Sequence, residues 1–202
     1  MDSKEFQLYI GCKKKDSYSQ REVFEHYVKK FLAICHRYIG NVDLAQDIVQ
    51  ESFIIIFNKI ETFEWQGDKS FENWMKRIVT NAALNGYKKA KKQQNITIDQ
   101  VDDILDEINE QIDIEGHTEL KLDHILEYGF NDDDLYSCID LLPENFKIVF
   151  NMFAIDNFSH KEIALKLGIS EKTSTTRLFR ARKLIQKELM DRIKERALVY
   201  ER

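Results

Sequence analysis

The chain has 202 residues, of which 43% are hydrophobic and 32% are charged, a balance that excludes a disordered or fibrous protein and is typical of a globular one. It contains only 7 Gly and 1 Pro, which favours helices over turn-rich sheets and predicts an all-α fold. No apolar stretch approaches the roughly 20 residues that cross a bilayer, and the polar N-terminus lacks a signal peptide's apolar segment, so we expect a cytoplasmic protein without membrane insertion.

The net charge of -5 is divided unevenly along the chain. Residues 1–94 hold 16 Lys and Arg against 12 Asp and Glu, and residues 134–202 hold 13 against 10. Residues 95–133 hold 13 acidic residues against Lys121 alone. This distribution predicts two mildly basic helical domains joined by an acidic flexible linker. Because the positive charge is segregated, an acidic isoelectric point does not exclude nucleic-acid binding.

The first predicted elements are helices within residues 19–63, interrupted at Gly40 and Asn41. Apolar residues recur three and four positions apart on both sides of the interruption. Asn41 is suited to cap the second of these helices, and Asp43 lies in its first turn, where a negative charge favours the helix dipole. Three polar residues lie off the apolar stripe of this helix: Asp47, Gln50 and Glu51.

A polar loop, residues 64–70, precedes a third predicted helix over about residues 71–92. Helical spacing predicts that its buried face consists of Phe71, Trp74, Ile78 and Ala82. A separate stripe with spacings of four, three and four runs along its flank: Arg77, Asn81, Leu84 and Lys88.

The last predicted module is a helix-turn-helix. After the acidic linker, helical structure should resume near Leu135, and Pro143 fits the first turn of the next helix. The segment SHKEIALKLGISEKTSTTRLFRARKLIQKEL then contains a turn at residues 167–169 and a capping residue, Ser170. The second helix of the module places Leu178, Ala181 and Ile185 on one face.

The opposite face of that helix suits the major groove of DNA. It carries hydroxyl, aromatic and cationic groups: Thr176, Phe179, Arg180, Lys183 and Lys187. Arg binds guanine bidentately, and Phe or a Thr methyl contacts the methyl group of thymine. Lys172, Arg177 and Arg182 on the flanks suit phosphates. An ordinary solvated face is the competing interpretation, but an exposed Phe among cations directly after a well-formed turn favours DNA binding.

Four segments together resemble the extracytoplasmic-function (ECF) sigma factors. SHKEIALKLGISEKTSTTRLFRARKLI and the preceding LPENFKIVF resemble region 4, whose pattern is roughly S-x-x-E-I-A-x-x-L-G-I-S-x-G-T-V-K-S-R-L-x-R-A-R-K. DLAQDIVQESFIIIFNKIETF and FENWMKRIVTNAALNGYKKAKK resemble region 2. The matches cover nearly all of residues 20–94 and 135–190 in the family's order. The resemblance implies a non-enzymatic protein that binds core RNA polymerase, recognises promoter DNA and is restrained by an anti-sigma factor.

The resemblance also implies three sets of functional residues. The polymerase-binding set is Asp47, Gln50 and Glu51, for which a solvated acidic face is the competing interpretation. The set for the minus-ten promoter element is Trp65, Lys69, Ser70, Trp74, Arg77, Asn81 and Lys88. The set for the minus-thirty-five element is Lys172, Thr175, Thr176, Arg177, Phe179, Arg180 and Lys183. Core packing is the stronger interpretation for Trp74, whereas an amide within a helix makes Asn81 the better site residue.

The sequence departs from the family pattern at several of these positions. Ser174 and Lys172 stand where Val and Gly are usual, which predicts a looser recognition helix. Thr175 and Thr176 replace a common basic residue and Ser, and Trp65 replaces a usual Arg. The preferred minus-thirty-five and minus-ten sequences therefore cannot be copied from relatives.

Other functions find little support in the sequence. There is no phosphate-binding Gly loop, metalloprotease motif or nucleophile elbow, and the histidines form no recognisable ligand cluster, so no cofactor, metal or small-molecule substrate is predicted. The three cysteines are expected to be reduced packing residues. Two alternatives remain: a stand-alone helix-turn-helix transcriptional regulator with a dimerising N-terminal lobe, and an interaction protein without a DNA role. Binding to core polymerase separates the sigma factor from both.

Overall fold

The computed structural model describes residues 3–93 and 132–200, and every regular element in these ranges is helical. The chain divides into two compact units, residues 1–97 and 98–202. The first unit contains α1 (Lys4–Lys13), α2 (Ser17–Ile39), α3 (Val42–Lys59), a 3-10 helix (Ile60–Thr62) and α4 (Ser70–Gln93). The second contains α5 (Asp132–Asp140), α6 (Glu144–Phe150), a π-helical turn (Asn151–Ile155), α7 (His160–Leu167) and α8 (Glu171–Tyr200). The predicted all-α class is confirmed, while most of the predicted linker lies outside the described residues.

The helix boundaries of the first unit follow local signals. Gly40 ends α2 in the left-handed conformation, with φ 68°, and its N–H donates to the His36 carbonyl. The Asn41 side chain then accepts a hydrogen bond from the Leu44 N–H at 2.9 Å and caps α3, as predicted. Helix α1, in contrast, is absent from the sequence prediction. Only Tyr9 and Cys12 of α1 are buried, so its apolar periodicity is too short to be recognised.

Helices α2, α3 and α4 pack against one another and form the core of the first unit. Each contributes a buried stripe, whose members include Val23, Tyr27 and Phe31 on α2, Val49, Phe53 and Ile56 on α3, and Phe71, Met75 and Val79 on α4. The predicted face of α4 is therefore wrong by about one position, because Trp74, Ile78 and Ala82 are only half-buried. Leu84 is also buried and does not belong to the accessible flank. Contact with two helices instead of one widens the buried face of α4 and moves its centre.

The second unit is organised around the long helix α8. Its core combines residues of α5 and α6 (Cys138, Ile139, Leu142, Phe146) with residues of α8 (Ala181, Ile185, Leu189, Ile193). Two arginines fasten α5 to α8: Arg192 Nη1 donates to Ser137 Oγ at 2.6 Å, and Arg196 Nη2 donates to Asp134 Oδ1 at 2.8 Å. Pro143 occupies the capping position of α6, one residue before the predicted first turn.

The predicted helix-turn-helix is confirmed, and each of its boundaries is built by nearby residues. Ser159 and Glu162 form a reciprocal capping box at the start of α7. Gly168 ends α7 with φ 73°, a left-handed conformation that favours glycine. Ser170 Oγ accepts a hydrogen bond from the Thr173 N–H at 2.9 Å and caps α8. Local signals therefore set both ends of α7 and the start of α8.

The three cysteines are free and buried, as expected for packing residues. Burial raises the pKa of the Cys12 and Cys35 thiols to about 12, so neither is a reactive thiolate near neutral pH. Within residues 3–93 and 132–200, no helix is long and apolar enough to span a membrane. The same ranges contain no cluster of His, Cys, Asp or Glu side chains arranged to hold a metal ion.

Candidate nucleic-acid and polymerase interfaces

The first half of α8 separates an accessible face from a buried one, as helical spacing predicts. Leu178, Ala181 and Ile185 are buried in the core. On the other side the Phe179 ring is 50% exposed, and Lys183 Nζ lies 5.8 Å from its centroid. The remaining members of the accessible face are exposed or half-buried: Lys172, Thr175, Thr176, Arg180, Arg182 and Lys187. An aromatic ring beside several cations is chemically suited to a DNA groove.

Arg177 is the exception among the predicted minus-thirty-five residues. It is only 2% exposed, so the expectation of an accessible phosphate contact at this position is wrong. Arg177 lies four residues before Ala181 and one before Leu178, which places it on the buried stripe by the same 100° step. The long aliphatic stem of arginine tolerates such packing. The spacing in the sequence already contained this signal, and Arg177 is a structural residue of the unit.

Ser174, which departs from the family pattern, joins the two helices of the module. Its side chain is fully buried, and its Oγ is hydrogen-bonded to His160 Nδ1 at 2.9 Å. The His160 ring stacks on Phe153 with centroids 4.5 Å apart, and the Arg182 guanidinium lies 5.8 Å from the same Phe153 ring. A polar contact between α7 and α8 thus takes the place of an apolar one, and Lys172 sits exposed in the first turn of α8.

The loop of residues 64–70 has a defined internal structure. Ser70 Oγ donates to the Gly67 carbonyl at 2.6 Å and accepts from the Gln66 N–H at 3.2 Å. Gly67 and Lys69 both have left-handed backbones, with φ 104° and φ 67°. The Lys69 side chain is exposed and Ser70 is half-buried. The predicted loop is therefore a compact turn with an accessible cation at its end.

Helix α1 makes contacts with this loop that the sequence did not predict. Glu5 Oε2 accepts a hydrogen bond from the Lys69 N–H at 2.7 Å, and Glu5 Oε1 accepts one from the Glu72 N–H at 3.0 Å. Trp65 stacks on Tyr9, with centroids 5.8 Å apart at 22°, and meets the Phe6 ring edge-on at 5.0 Å. Half-buried Trp65 is thus held by α1. No local pattern reveals these contacts, since they join residues far apart in the chain.

The predicted minus-ten residues on α4 fall into two groups. The Trp74 ring is half-buried, 5.0 Å from Phe63 and stacked on Phe71 at 5.9 Å, which agrees with the packing interpretation and leaves part of the ring accessible. Arg77 is exposed, and Asn81 and Lys88 are half-buried. Helical spacing places these three residues within about 40° of one another on one flank. These residues form a strip on one flank of α4 that carries two cations and an amide.

The predicted polymerase-binding residues lie together on α3. Asp47, Gln50 and Glu51 are all exposed. Ile54, one turn further along the same stripe, is 62% exposed and was missed as a surface residue. The sequence held a signal for it, because five consecutive apolar residues, 53–57, cannot all face the core from one helix. The face therefore combines two carboxylates, an amide and an exposed aliphatic side chain.

Comparison with known proteins places both units in one class. The Sigma-70 region 2 profile matches residues 23–93, and the Sigma-70 region 4 profile matches residues 132–185. Helices α2 to α4 and the helix-turn-helix thus define a protein of the sigma-70 class. Helix α1 precedes the region 2 match. A region 2 at this position also argues against the stand-alone regulator, in which the N-terminal lobe serves only for dimerisation.

Similar whole proteins narrow the class. The chain is 28% identical over 189 residues to the ECF RNA polymerase sigma factor SigW of Bacillus subtilis, covering 89% of this chain and 93% of SigW. It is 30% identical over 167 residues to the ECF RNA polymerase sigma-E factor of Haemophilus influenzae, covering 81% of this chain and 83% of that factor. A solved structure of the sigma factor RpoE with the anti-sigma factor NepR from Bartonella quintana is 20% identical, with a TM-score of 0.46 and coverage of 84% and 96%. The chain belongs to the ECF family of RNA polymerase sigma factors.

Proposed function

We propose that this sigma factor binds core RNA polymerase through α3 and reads the two promoter elements with separate units. The face opposite the buried stripe of α8 is the observation that carries the proposal, because it presents an exposed Phe179 beside a half-buried Arg180 while Leu178 and Ala181 anchor the helix. Such a rigid, accessible helix can enter the major groove. The protein acts in the cytoplasm, has no catalytic activity of its own, and is controlled by an anti-sigma factor.

Polymerase binding is assigned to the face of Asp47, Gln50, Glu51 and Ile54. Exposed carboxylates next to an exposed aliphatic side chain suit a basic partner helix that also offers an apolar contact. The buried stripe of α3 fixes the orientation of the face, since Ile48, Val49 and Phe53 pack in the core. A rigid helix presents these groups without an ordering cost.

Minus-ten recognition is assigned to loop 64–70 and the adjacent flank of α4. An unpaired base requires a stacking surface and hydrogen-bonding groups, and the accessible parts of Trp74 and Asn81 offer both. Lys69, Arg77 and Lys88 supply positive charge for the backbone of the separated strand. Minus-thirty-five recognition is assigned to Thr175, Thr176, Phe179, Arg180 and Lys183, with Lys172 directed at phosphate.

Run-off transcription with core RNA polymerase on fragments of the source genome tests the proposal. We expect discrete transcripts that require both core enzyme and this protein, and whose start sites share two separated sequence blocks upstream. A control reaction contains a variant with Asp47→Lys and Glu51→Lys, which should produce no transcripts. Transcripts that are identical with and without the protein would contradict the proposal.

A further inference from the structure

Helix α1 lies outside the region 2 match, yet it supplies the acceptor for two backbone N–H groups where loop 64–70 joins α4. Both oxygens of the Glu5 carboxylate are used, one by the Lys69 N–H at 2.7 Å and the other by the Glu72 N–H at 3.0 Å. The first N–H groups of a helix lack intrahelical acceptors and need a cap. Glu5 therefore caps α4 from a different helix, and its negative charge is placed favourably for the α4 dipole.

Two further contacts join α1 to the residue just before the loop and to the loop's second residue. The Tyr9 hydroxyl donates to the Phe63 carbonyl at 3.1 Å, directly before the loop. The Trp65 ring contacts both Phe6 and Tyr9, with ring centroids 5.0 and 5.8 Å away. Side chains of α1 thus contact the chain before the loop, within it and at its end.

Helix α1 is itself firmly placed, which allows it to act as a support. Cys12 is fully buried, and Gly11 lies so close to α2 that a Cβ atom there would be 1.9 Å from Ser19 Oγ and 2.5 Å from Ser19 Cβ. The loop needs such support, because Lys69 adopts φ 67°, a conformation that costs free energy for any residue with a side chain.

We propose that α1 is the positioning element for promoter opening, and that Glu5, Phe6 and Tyr9 hold loop 64–70 in the form that receives a single-stranded base. The inference rests on the proposed minus-ten role of the loop. None of the three side chains needs to touch DNA. They lower the ordering cost that the loop would otherwise incur when the separated strand binds. Substitutions in α1 should therefore impair strand opening and leave duplex binding through α8 unchanged.

The structural half of the inference is tested by amide hydrogen exchange in the free protein. Glu5→Gln keeps the shape of the side chain but leaves one acceptor oxygen for two N–H groups, so we expect exchange at Lys69 and Glu72 to accelerate about tenfold. Glu61→Gln is the matched control, because Glu61 is exposed and pairs only loosely with Lys15, at 3.9 Å. If both amides exchange as slowly in Glu5→Gln as in wild type, Glu5 does not hold the loop in place.

The functional half is tested with holoenzyme on a promoter fragment obtained by run-off transcription. Permanganate reactivity of thymines measures the opened fraction, and gel-shift titration measures duplex affinity. We expect Glu5→Gln and Gly11→Ala to lower opening about fivefold or more, with duplex affinity changed less than about twofold. Gly11→Ala displaces α1 without altering a side chain that touches the loop. If thermal melting shows that the Gly11→Ala variant is unfolded, the Phe6→Leu variant is used in its place.

The outcomes separate the two proposals. Opening that equals wild type in Glu5→Gln and Phe6→Leu, or opening and duplex affinity that fall in parallel, would overturn the positioning role while leaving the sigma-factor function intact. If the wild-type protein opens no promoter at all, the proposed function fails instead, and the amide-exchange result still decides whether α1 holds the loop.

Discussion

The two units build their proposed DNA-binding surfaces in different ways. In the second unit, the capping box at Ser159 and Glu162 and the His160 to Ser174 hydrogen bond join residues at most 14 positions apart. In the first unit, the loop depends on Glu5, which is 64 and 67 positions away from its two partners. Local contacts form together with their helices, whereas distant ones require the tertiary fold. We therefore expect the loop to respond to substitutions in α1, and the start of α8 to respond to substitutions in the adjacent α7.

The largest expected effect is at the proposed polymerase-binding face of α3, because promoter reading by either unit requires core polymerase. Replacing Asp47 and Glu51 by Lys should abolish association with core polymerase, because it reverses two exposed charges on the proposed docking face. Co-purification with core enzyme measures the effect. The control variant carries Glu25→Lys and Glu61→Lys, an equal change of charge at exposed positions elsewhere in the unit. Normal association of the Asp47 and Glu51 variant would show that the docking face is wrongly assigned.

A second effect separates base contacts from phosphate contacts on α8. Arg180→Ala should cost about 1 to 3 kcal/mol of binding to the preferred sequence and relax the preference at one base position. Lys187→Ala should weaken binding to all sequences alike, since an exposed lysine contributes charge without base specificity. Competition binding of each holoenzyme to systematically substituted duplexes distinguishes the two roles. If both variants lose affinity equally for every sequence, Arg180 has no role in base reading.

A third, smaller effect tests the local contact within the second unit. Ser174→Ala removes the hydrogen bond to His160, so the free energy of unfolding should fall by about 1 kcal/mol. Thr175→Ala is the matched control, because Thr175 is exposed and its hydroxyl bonds only to the Glu171 carbonyl of its own helix. Urea denaturation measures both. Equal stability of the Ser174 and Thr175 variants would mean that the buried polar contact does not stabilise the module.

The smallest effect concerns the acid stability of the first unit. Burial raises the pKa of Glu72, but hydrogen bonds from Lys30 and Lys76 outweigh burial and hold this pKa below its usual value of 4.5. A depressed carboxylate pKa contributes stability above the unfolded-state pKa, and this contribution is lost as pH falls through the folded-state value. We expect Glu72→Gln to lose less than about 1 kcal/mol at neutral pH and to flatten the decline in stability below about pH 4.5. Urea denaturation at a series of acidic pH values measures the free energy of unfolding of both proteins. If wild type and Glu72→Gln lose stability in parallel as the pH falls, the lowered pKa of Glu72 does not contribute to acid stability.

The helix-turn-helix of the second unit was predictable, because the residues that set its helix boundaries are neighbours in the sequence. Ser159, Gly168 and Ser170 each indicate a helix boundary by residue type and position. The same arithmetic that predicted the accessible face of α8 also places Arg177 on the buried stripe, and only the assumption that arginine is exposed led to the wrong expectation.

The first unit was predictable at its helices but not at its loop. Gly40 and Asn41 mark the boundary of α2 and α3 through local chemistry. The buried face of α4 moved by about one residue because α4 packs on two helices at once, which periodicity along one helix does not encode. The clamp of Glu5 on loop 64–70 is a pure consequence of tertiary packing, so no pattern within either segment could indicate it.

We propose that the two units read their promoter elements together only when the protein is bound to core polymerase. Selection from a randomised duplex library with and without core enzyme, followed by sequencing, tests it most directly. We predict two enriched blocks at a fixed spacing in the presence of core enzyme and no comparable enrichment without it. Enrichment of a palindromic sequence by the protein alone, unchanged on adding polymerase, would contradict the claim and indicate a stand-alone regulator.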